Sequence, residues 1–159
     1  MLISISLLII SYFCKKDIVG RILAFDYGRK RVGIAVTDPM QIIANGLTTL
    51  HPEKVFAFLD EYLQTENIER FVVGYPRQMN NTASEAVRYV NPFIKRLVKK
   101  YPHIPVELMD ERFTSKMAHQ TMLDAGLRKK ARQNKSLVDT ISATIILQSY
   151  MQQMKFKSR

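Results

Sequence analysis

The chain has 159 residues, 47% hydrophobic and 24% charged, which is enough for one domain with a buried core and excludes a disordered polar segment. Lys and Arg number 24 against 14 Asp and Glu, a net charge of +10, so nucleic acid or another polyanion is the natural partner, although basic charge also serves solubility. The single cysteine, Cys14, excludes an internal disulfide and a cysteine metal cage and fits a reducing, cytoplasmic setting, while His51, His103 and His119 lack metal-ligand spacing.

Residues 1–13 are apolar but too short to span a bilayer comfortably. No basic segment precedes them and no small-residue cleavage site follows. Lys15-Lys16 would suit a short anchor with its basic end in the cytoplasm. No stable membrane association is expected. The globular pattern begins at about Val19, and a GTG start codon reads as Val within an over-extended translation. Residues 1–18 are therefore expected to be a start-site artefact. Mass spectrometry of the native N-terminus checks this, and a mature chain that keeps Leu2 to Ile10 would sink it.

Ile22 to Phe25 is a short apolar run of the buried-strand type, Gly28 supplies a turn, and Val32 to Thr37 resumes β-type residues until Asp38-Pro39. Residues 21–38 thus read as a hairpin with Gly28-Arg29-Lys30-Arg31 in its turn. Gly33, inside the second strand, lets a backbone or ligand approach closely. Ile42 to Leu50 reads as a third strand, interrupted at Asn45-Gly46. Pro52-Glu53 starts a helix with Val55, Phe56, Leu59, Tyr62 and Leu63 at helical spacing. Phe71 to Val73 is a buried strand ending at Gly74-Tyr75-Pro76, before a polar loop at 77–81.

Thr82 and Glu85 form a capping box for a helix running to about Lys100, which Pro92 is expected to kink or divide. Ile104 to Met109 is the next strand. Thr114 or Ser115 caps a helix with Met117, Thr121 and Leu123 inward, and Gly126 ends it. Ser136 is expected to cap the last helix, with Leu137, Ile141, Ile145 and Tyr150 roughly on one face. Phe56, Phe58, Phe93, Met117 and Met122 read as core. The expected fold is a single α/β domain over 19–154 followed by a basic tail, 155–159. Its mixed sheet has a three-strand antiparallel meander, then parallel strands, with helices on both faces.

Three carboxylate positions stand out. Asp26 closes the first strand, Asp110 and Glu111 close the strand ending at Met109, and Asp139 lies near the start of the last apolar helix. Acids at strand ends, faced by one on a helix, suit a divalent-metal site, because Mg²⁺ and Mn²⁺ prefer oxygen ligands. Taken alone, Asp26 reads equally well as a turn residue. Asp110 and Glu111 are adjacent and should point to opposite faces of a strand, so one of the two is expected to be a ligand. Arg31 and Arg112 read as phosphate contacts, as groups that orient the carboxylates, or as solvated loop charges. Arg77, Arg128, Lys129, Lys130, Arg132 and Lys135 complete the candidate phosphate-binding cations.

The segment from Ile22 through Asp26, Gly28, Arg31 and Gly33 to Asp38 resembles the opening signature of the YqgF family. These are RNase H-like proteins described as Holliday-junction resolvases and as pre-16S rRNA nucleases. Phe71-Val-Val-Gly74-Tyr-Pro76, Asp110-Glu111-Arg112-Phe-Thr114 and Asp139-Thr-Ile-Ser-Ala143-Thr-Ile-Ile-Leu147 match three further family motifs in order and spacing. The resemblance covers about residues 20–152. Tyr75, Asn81, Thr37 and Ser142 depart from the usual residues, and none of these departures removes a candidate ligand.

The resemblance implies an acidic triad of Asp26, Glu111 and Asp139 holding Mg²⁺ or Mn²⁺, with Asp26 bridging if two ions bind and Asp110 the lesser candidate. It implies a metal-dependent nuclease acting on structured RNA such as pre-16S rRNA. The alternatives are a Holliday-junction resolvase on branched DNA, which needs a dimer, and a nucleic-acid-binding module without catalysis. A monomer and a homodimer are both compatible with the sequence. An Asp-x-Gly hairpin also opens the actin and sugar-kinase fold, but 159 residues leave no room for the second such domain.

Overall fold

The computed structural model describes residues 20–75, 86–110, 114–126, 129 and 133–157, with backbone only at 114–116 and 119. The N-terminal extension 1–18 and the capping box at Thr82 and Glu85 lie outside these residues. Three strands come first: β1 (Arg21–Tyr27), β2 (Val32–Thr37) and β3 (Ala44–Leu50). A 3-10 turn at Pro52–Lys54 leads into α1 (Val55–Thr65), then β4 (Ile68–Tyr75), α2 (Val87–Lys100) and β5 (Val106–Asp110). Helices α3 (Thr114–Asp124) and α4 (Lys135–Lys157) complete the described elements. The strands form one sheet in the order β3-β2-β1-β4-β5. The β1–β2 and β2–β3 pairs are antiparallel, and β1–β4 and β4–β5 are parallel, which is the mixed sheet the sequence predicts.

Central β1 buries both faces, so its residues 22–25 are apolar without alternation. Leu23 and Phe25 point to the side covered by α1 and α2, and Ile22 and Ala24 to the side covered by α4. The first side is filled by aromatic rings. Phe25 packs edge-on against Phe71 and Phe93 at 5.7 and 5.4 Å between centroids, and Phe56 meets Phe93 at 5.7 Å. The second side is built from small residues, and α4 lies close against it. Burying Ile146, Leu147 and Met151 there stabilises the fold by about 1.5–3 kcal/mol each.

Gly33 and Gly46 are where this close approach is tightest. A Cβ on Gly33 would fall 2.0 Å from the Asp139 carbonyl oxygen, and one on Gly46 would fall 2.4 Å from the Thr140 methyl. Thr49, the register partner of Gly33, donates its hydroxyl to the Ser136 carbonyl at 2.8 Å and lies 2.7 Å from the Thr140 hydroxyl. The close approach expected at Gly33 is thus made by the backbone of α4.

Several local expectations are corrected. The interruption in β3 is a register shift: Ile34 pairs with Thr48 and Ala35 with Gly46, which leaves Leu47 as the extra residue of a bulge. Helix α2 is one element through Pro92. Pro92 and Arg88 are both exposed, so water can satisfy the Arg88 carbonyl that loses its donor.

In α3 the inward residues are Ala118 and Met122, whereas Met117 and Leu123 are half exposed and Thr121 is exposed. The helix packs against α4 rather than the sheet, and a narrow i, i+4 stripe covers that contact. The α4 cap is Asn134, not Ser136: its side-chain oxygen accepts from the Ser136 N–H at 3.1 Å and lies 3.4 Å from the Leu137 nitrogen. The helix also runs past Met154 to Lys157. Phe56, Phe93 and Met122 are buried as expected, and Phe58 is partly buried.

Because the obstacle at Gly33 is backbone, Gly33→Ala should lower stability by roughly 3 kcal/mol or more, about 10 °C in Tm. Gly46→Ala should cost less, because the methyl it meets belongs to a side chain. Thermal melts of the two variants check the order, and equal losses would contradict it.

Candidate active site at the carboxyl ends of the central strands

Asp26 sits one residue beyond the last β1–β4 pair, Phe25↔Val73, at the carboxyl end of β1. Its parity matches Ile22 and Ala24, so its side chain faces α4. Across the β1–β2 ladder its partner is Gly33, on whose α-carbon the Asp139 backbone rests. The missing side chain of Gly33 therefore brings the helix carboxylate to the strand carboxylate. Gly74 and Met109 pair in the parallel strands beside them, so the carboxyl ends of β1, β4 and β5 share one rim of the sheet.

The electrostatics of the two acids differ. Asp26 keeps partial exposure, yet most of its surroundings are protein. Burial pushes its carboxyl up from 3.8 to about 7, the negative charge of Asp139 adds to the rise, and a hydrogen bond from Ser142 opposes it. Asp139 accepts from Arg31 Nε at 2.5 Å. The Gly28 N–H donates to the Arg31 carbonyl at 2.9 Å, closing the hairpin turn that carries Arg31 to α4. Arg31 is thus held against a site carboxylate, a geometry distinct from an outward phosphate contact.

Ser142 escaped the sequence reading as a site residue. It is 2% exposed, one turn after Asp139 on the same helix face. Its signal was a hydroxyl in an otherwise apolar stretch, three residues after an acid.

The other candidates fall apart from this pair or outside the description. Asp110 ends β5 with the parity of Val106, whose side chain packs with the α1–α2 side, so it faces away from Asp26. Lys129 and Lys135 are exposed. Glu111, Arg112, Arg77, Arg128, Lys130 and Arg132 lie outside the described residues. Among the described residues no group of three or more His, Cys, Asp or Glu side chains is gathered as a metal site requires. Asp26 and Asp139 do make a pair whose donor chemistry fits a divalent cation: two carboxylates in mutual repulsion, one of them costly to ionise, both relieved by a dication.

The raised Asp26 predicts a pH signature. Between about pH 4 and 7 the folded carboxyl holds a proton that the unfolded one has released, so this group makes metal-free stability fall as pH rises. Asp26→Asn removes that cost. In EDTA the variant should melt several degrees above the unsubstituted chain at pH 8, with the gap shrinking toward pH 5. Saturating Mg²⁺ or Mn²⁺ should reverse the order by stabilising only the chain that keeps Asp26. A pH-independent gap would refute the assignment of the shift.

Residues 20–153 match the family model described as RuvX, Holliday junction resolvase. A relative from Phocaeicola vulgatus named "Putative pre-16S rRNA nuclease" is 59% identical over 138 residues, covering 87% of this chain and 99% of its own. A relative of the same name from Bacteroides thetaiotaomicron is 56% identical and covers 87% of this chain and all of its own. Among solved structures, the fowlpox virus resolvase with Holliday junction DNA superposes with a TM-score of 0.50 at 9% identity, over 84% of this chain and 98% of its own. Thermus thermophilus RuvC with a Holliday junction substrate superposes with a TM-score of 0.50 at 16% identity, over 84% and 96%. These two likenesses concern the RNase H-like fold alone. The family match over most of the chain and relatives above 50% identity establish that the chain belongs to the RuvX, or YqgF, family of nucleases.

Proposed function

We propose that the chain is a divalent-metal-dependent nuclease that hydrolyses phosphodiester bonds in structured RNA, with the 5′ end of the 16S rRNA precursor as its substrate in the cytoplasm. The observation that carries this reading is the apposition of Asp26 and Asp139 across Gly33 at the carboxyl ends of the central strands. The names of the relatives supply the substrate class. Asp26, Asp139 and Glu111 are the assigned ligands. Glu111 enters on its motif alone.

Mg²⁺ or Mn²⁺ bound there would supply a hydroxide-like nucleophile and neutralise charge on the leaving oxygen. The protein's part is to hold the donors. Asp26 stands on the rigid central strand and would be the shared ligand if two ions bind. Asp139 is fixed by helix packing, and Arg31 and Ser142 orient the two carboxylates. Arg77, Arg112, Arg128, Lys129, Lys130, Arg132 and Lys135 are assigned to backbone phosphates, and Asp110, which faces away from Asp26, is left out of the ligand set. The nuclease unit is 19–154, with 155–159 as a basic tail, acting as a monomer or homodimer.

A second reading is a Holliday-junction resolvase, favoured by the description of the matching family model. One experiment separates the two. The chain is incubated with Mg²⁺ or Mn²⁺ and either a 16S rRNA precursor leader or a four-way DNA junction. Metal-dependent RNA cleavage is expected, reduced about a hundredfold or more in Asp26→Asn and in Asp139→Asn, because even outer-shell changes at metal sites cost 10–100-fold. Symmetric junction nicking without RNA cleavage would transfer the assignment to the resolvase. Cleavage that survives both substitutions would overturn the site.

A further inference from the structure

Helix α2 carries Arg88, Lys95, Arg96, Lys99 and Lys100, and the chain has no Asp or Glu between Ala86 and Val106. These cations divide into two sets. Arg96 and Lys100 are engaged at the α1 edge: the Arg96 guanidinium lies 3.9 Å from the Phe56 ring centre, and Lys100 pairs with Asp60 at 2.5 Å. Arg88, Lys95 and Lys99 recur at intervals of seven and four residues, a single stripe on a helix. All three are exposed, opposite the buried Val90, Phe93 and Leu97, and form no ion pair among the described residues.

An ordinary solvated helix face mixes both signs, and the helix dipole favours cations only in the last turn. The dipole accounts for Lys99. It opposes Arg88, which stands in the first turn of the described helix, where no acid lies among the described residues. The dipole therefore does not explain Arg88 and Lys95. Its upper end is tied to the candidate site: Arg29, in the same hairpin turn as Arg31, lies over the exposed Tyr89 ring at 5.9 Å. From Arg88 to Lys99 the stripe runs about 16 Å away from that turn.

We infer that the Arg88–Lys95–Lys99 face of α2, entered through Arg29 and Tyr89, is a phosphate-backbone track that holds the nucleic-acid substrate beyond the cut site. This rests on the nuclease reading for its substrate. It places grip on the α2 side of the sheet, in addition to the cations around residues 128–135. The contacts carry charge without base readout, so the track binds by backbone geometry and weakens steeply with salt.

The test is binding of the full chain, in EDTA, to a fluorescent RNA duplex of about 20 base pairs, with KCl from about 50 to 250 mM. Replacing Arg88, Lys95 and Lys99 together by Gln should reduce the slope of log K against log salt by about 2 to 3 and weaken binding at least about tenfold at low salt. The reference is Lys54→Gln with Lys157→Gln, exposed positions off the stripe, which should change the slope by less than about one. A triple variant no different from this reference overturns the track, as does a triple variant that loses binding to polyglutamate while keeping RNA affinity. If the triple variant melts early, Arg88→Gln alone carries the test, with an expected slope loss of about one and none refuting it.

The two readings fail separately. RNA cleavage by the unsubstituted chain with an unchanged slope in the variants removes only the track. Stripe-dependent binding without metal-dependent cleavage removes only the nuclease assignment.

Discussion

The backbone contact between Gly33 and Asp139 is the constraint on which the rest of the site depends. A helix whose carbonyl sits where a Cβ would stand can neither slide nor rotate on the sheet without losing that fit. The same contact fixes the height of α4 over β1 and β2 and so the separation of the two carboxylates. Gly46 below Thr140, and the Thr49 hydroxyl on the Ser136 carbonyl, repeat the restraint one strand further out. On the other face, where no such approach is needed, the sheet is covered by large rings.

That packing has an electrostatic consequence. Bringing α4 down desolvates Asp26 and places a second negative group beside it, so the folded chain keeps a carboxyl that resists ionising near neutral pH. Arg31 balances Asp139, and no cation pairs with Asp26 among the described residues. Around this acidic rim the protein is strongly basic. A polyanion is thus attracted by the protein's net charge as a whole and meets a pair of acids at the rim, where a cation would neutralise them. In the proposed function field and site would act together, one gathering substrate and the other taking a metal that accepts it.

Much of this was legible in the chain. The hairpin from β1 to β2, the parallel strands and the face-to-face role of Gly33 followed from apolar runs, turn residues and an unexplained glycine in a strand. The local errors share a cause. Met117 and Leu123 read as inward because they are apolar, but α3 rests on another helix through Ala118 and Met122, a contact that a wide apolar stripe would not fit. Ser136 read as a cap because of its side chain, whereas Asn134 holds the position through where the chain enters the helix. Ser142 as a site residue was invisible, and the sequence left open which acid Arg31 would orient, since each is a contact between segments far apart in sequence.

The sequence by itself determined the mixed sheet, the family and the excess of positive charge, and it marked the candidate acids, because strand patterning, turn chemistry and motif spacing are local properties of the chain. Only the tertiary structure decided that Asp26 and Asp139 meet, which cation is occupied by Asp139 and which face of α2 is exposed among the described residues. Those outcomes depend on how closely α4 can approach the sheet, and that distance is set by the absence of side chains on Gly33 and Gly46, two residues whose spacing in sequence carries no information about the helix that covers them.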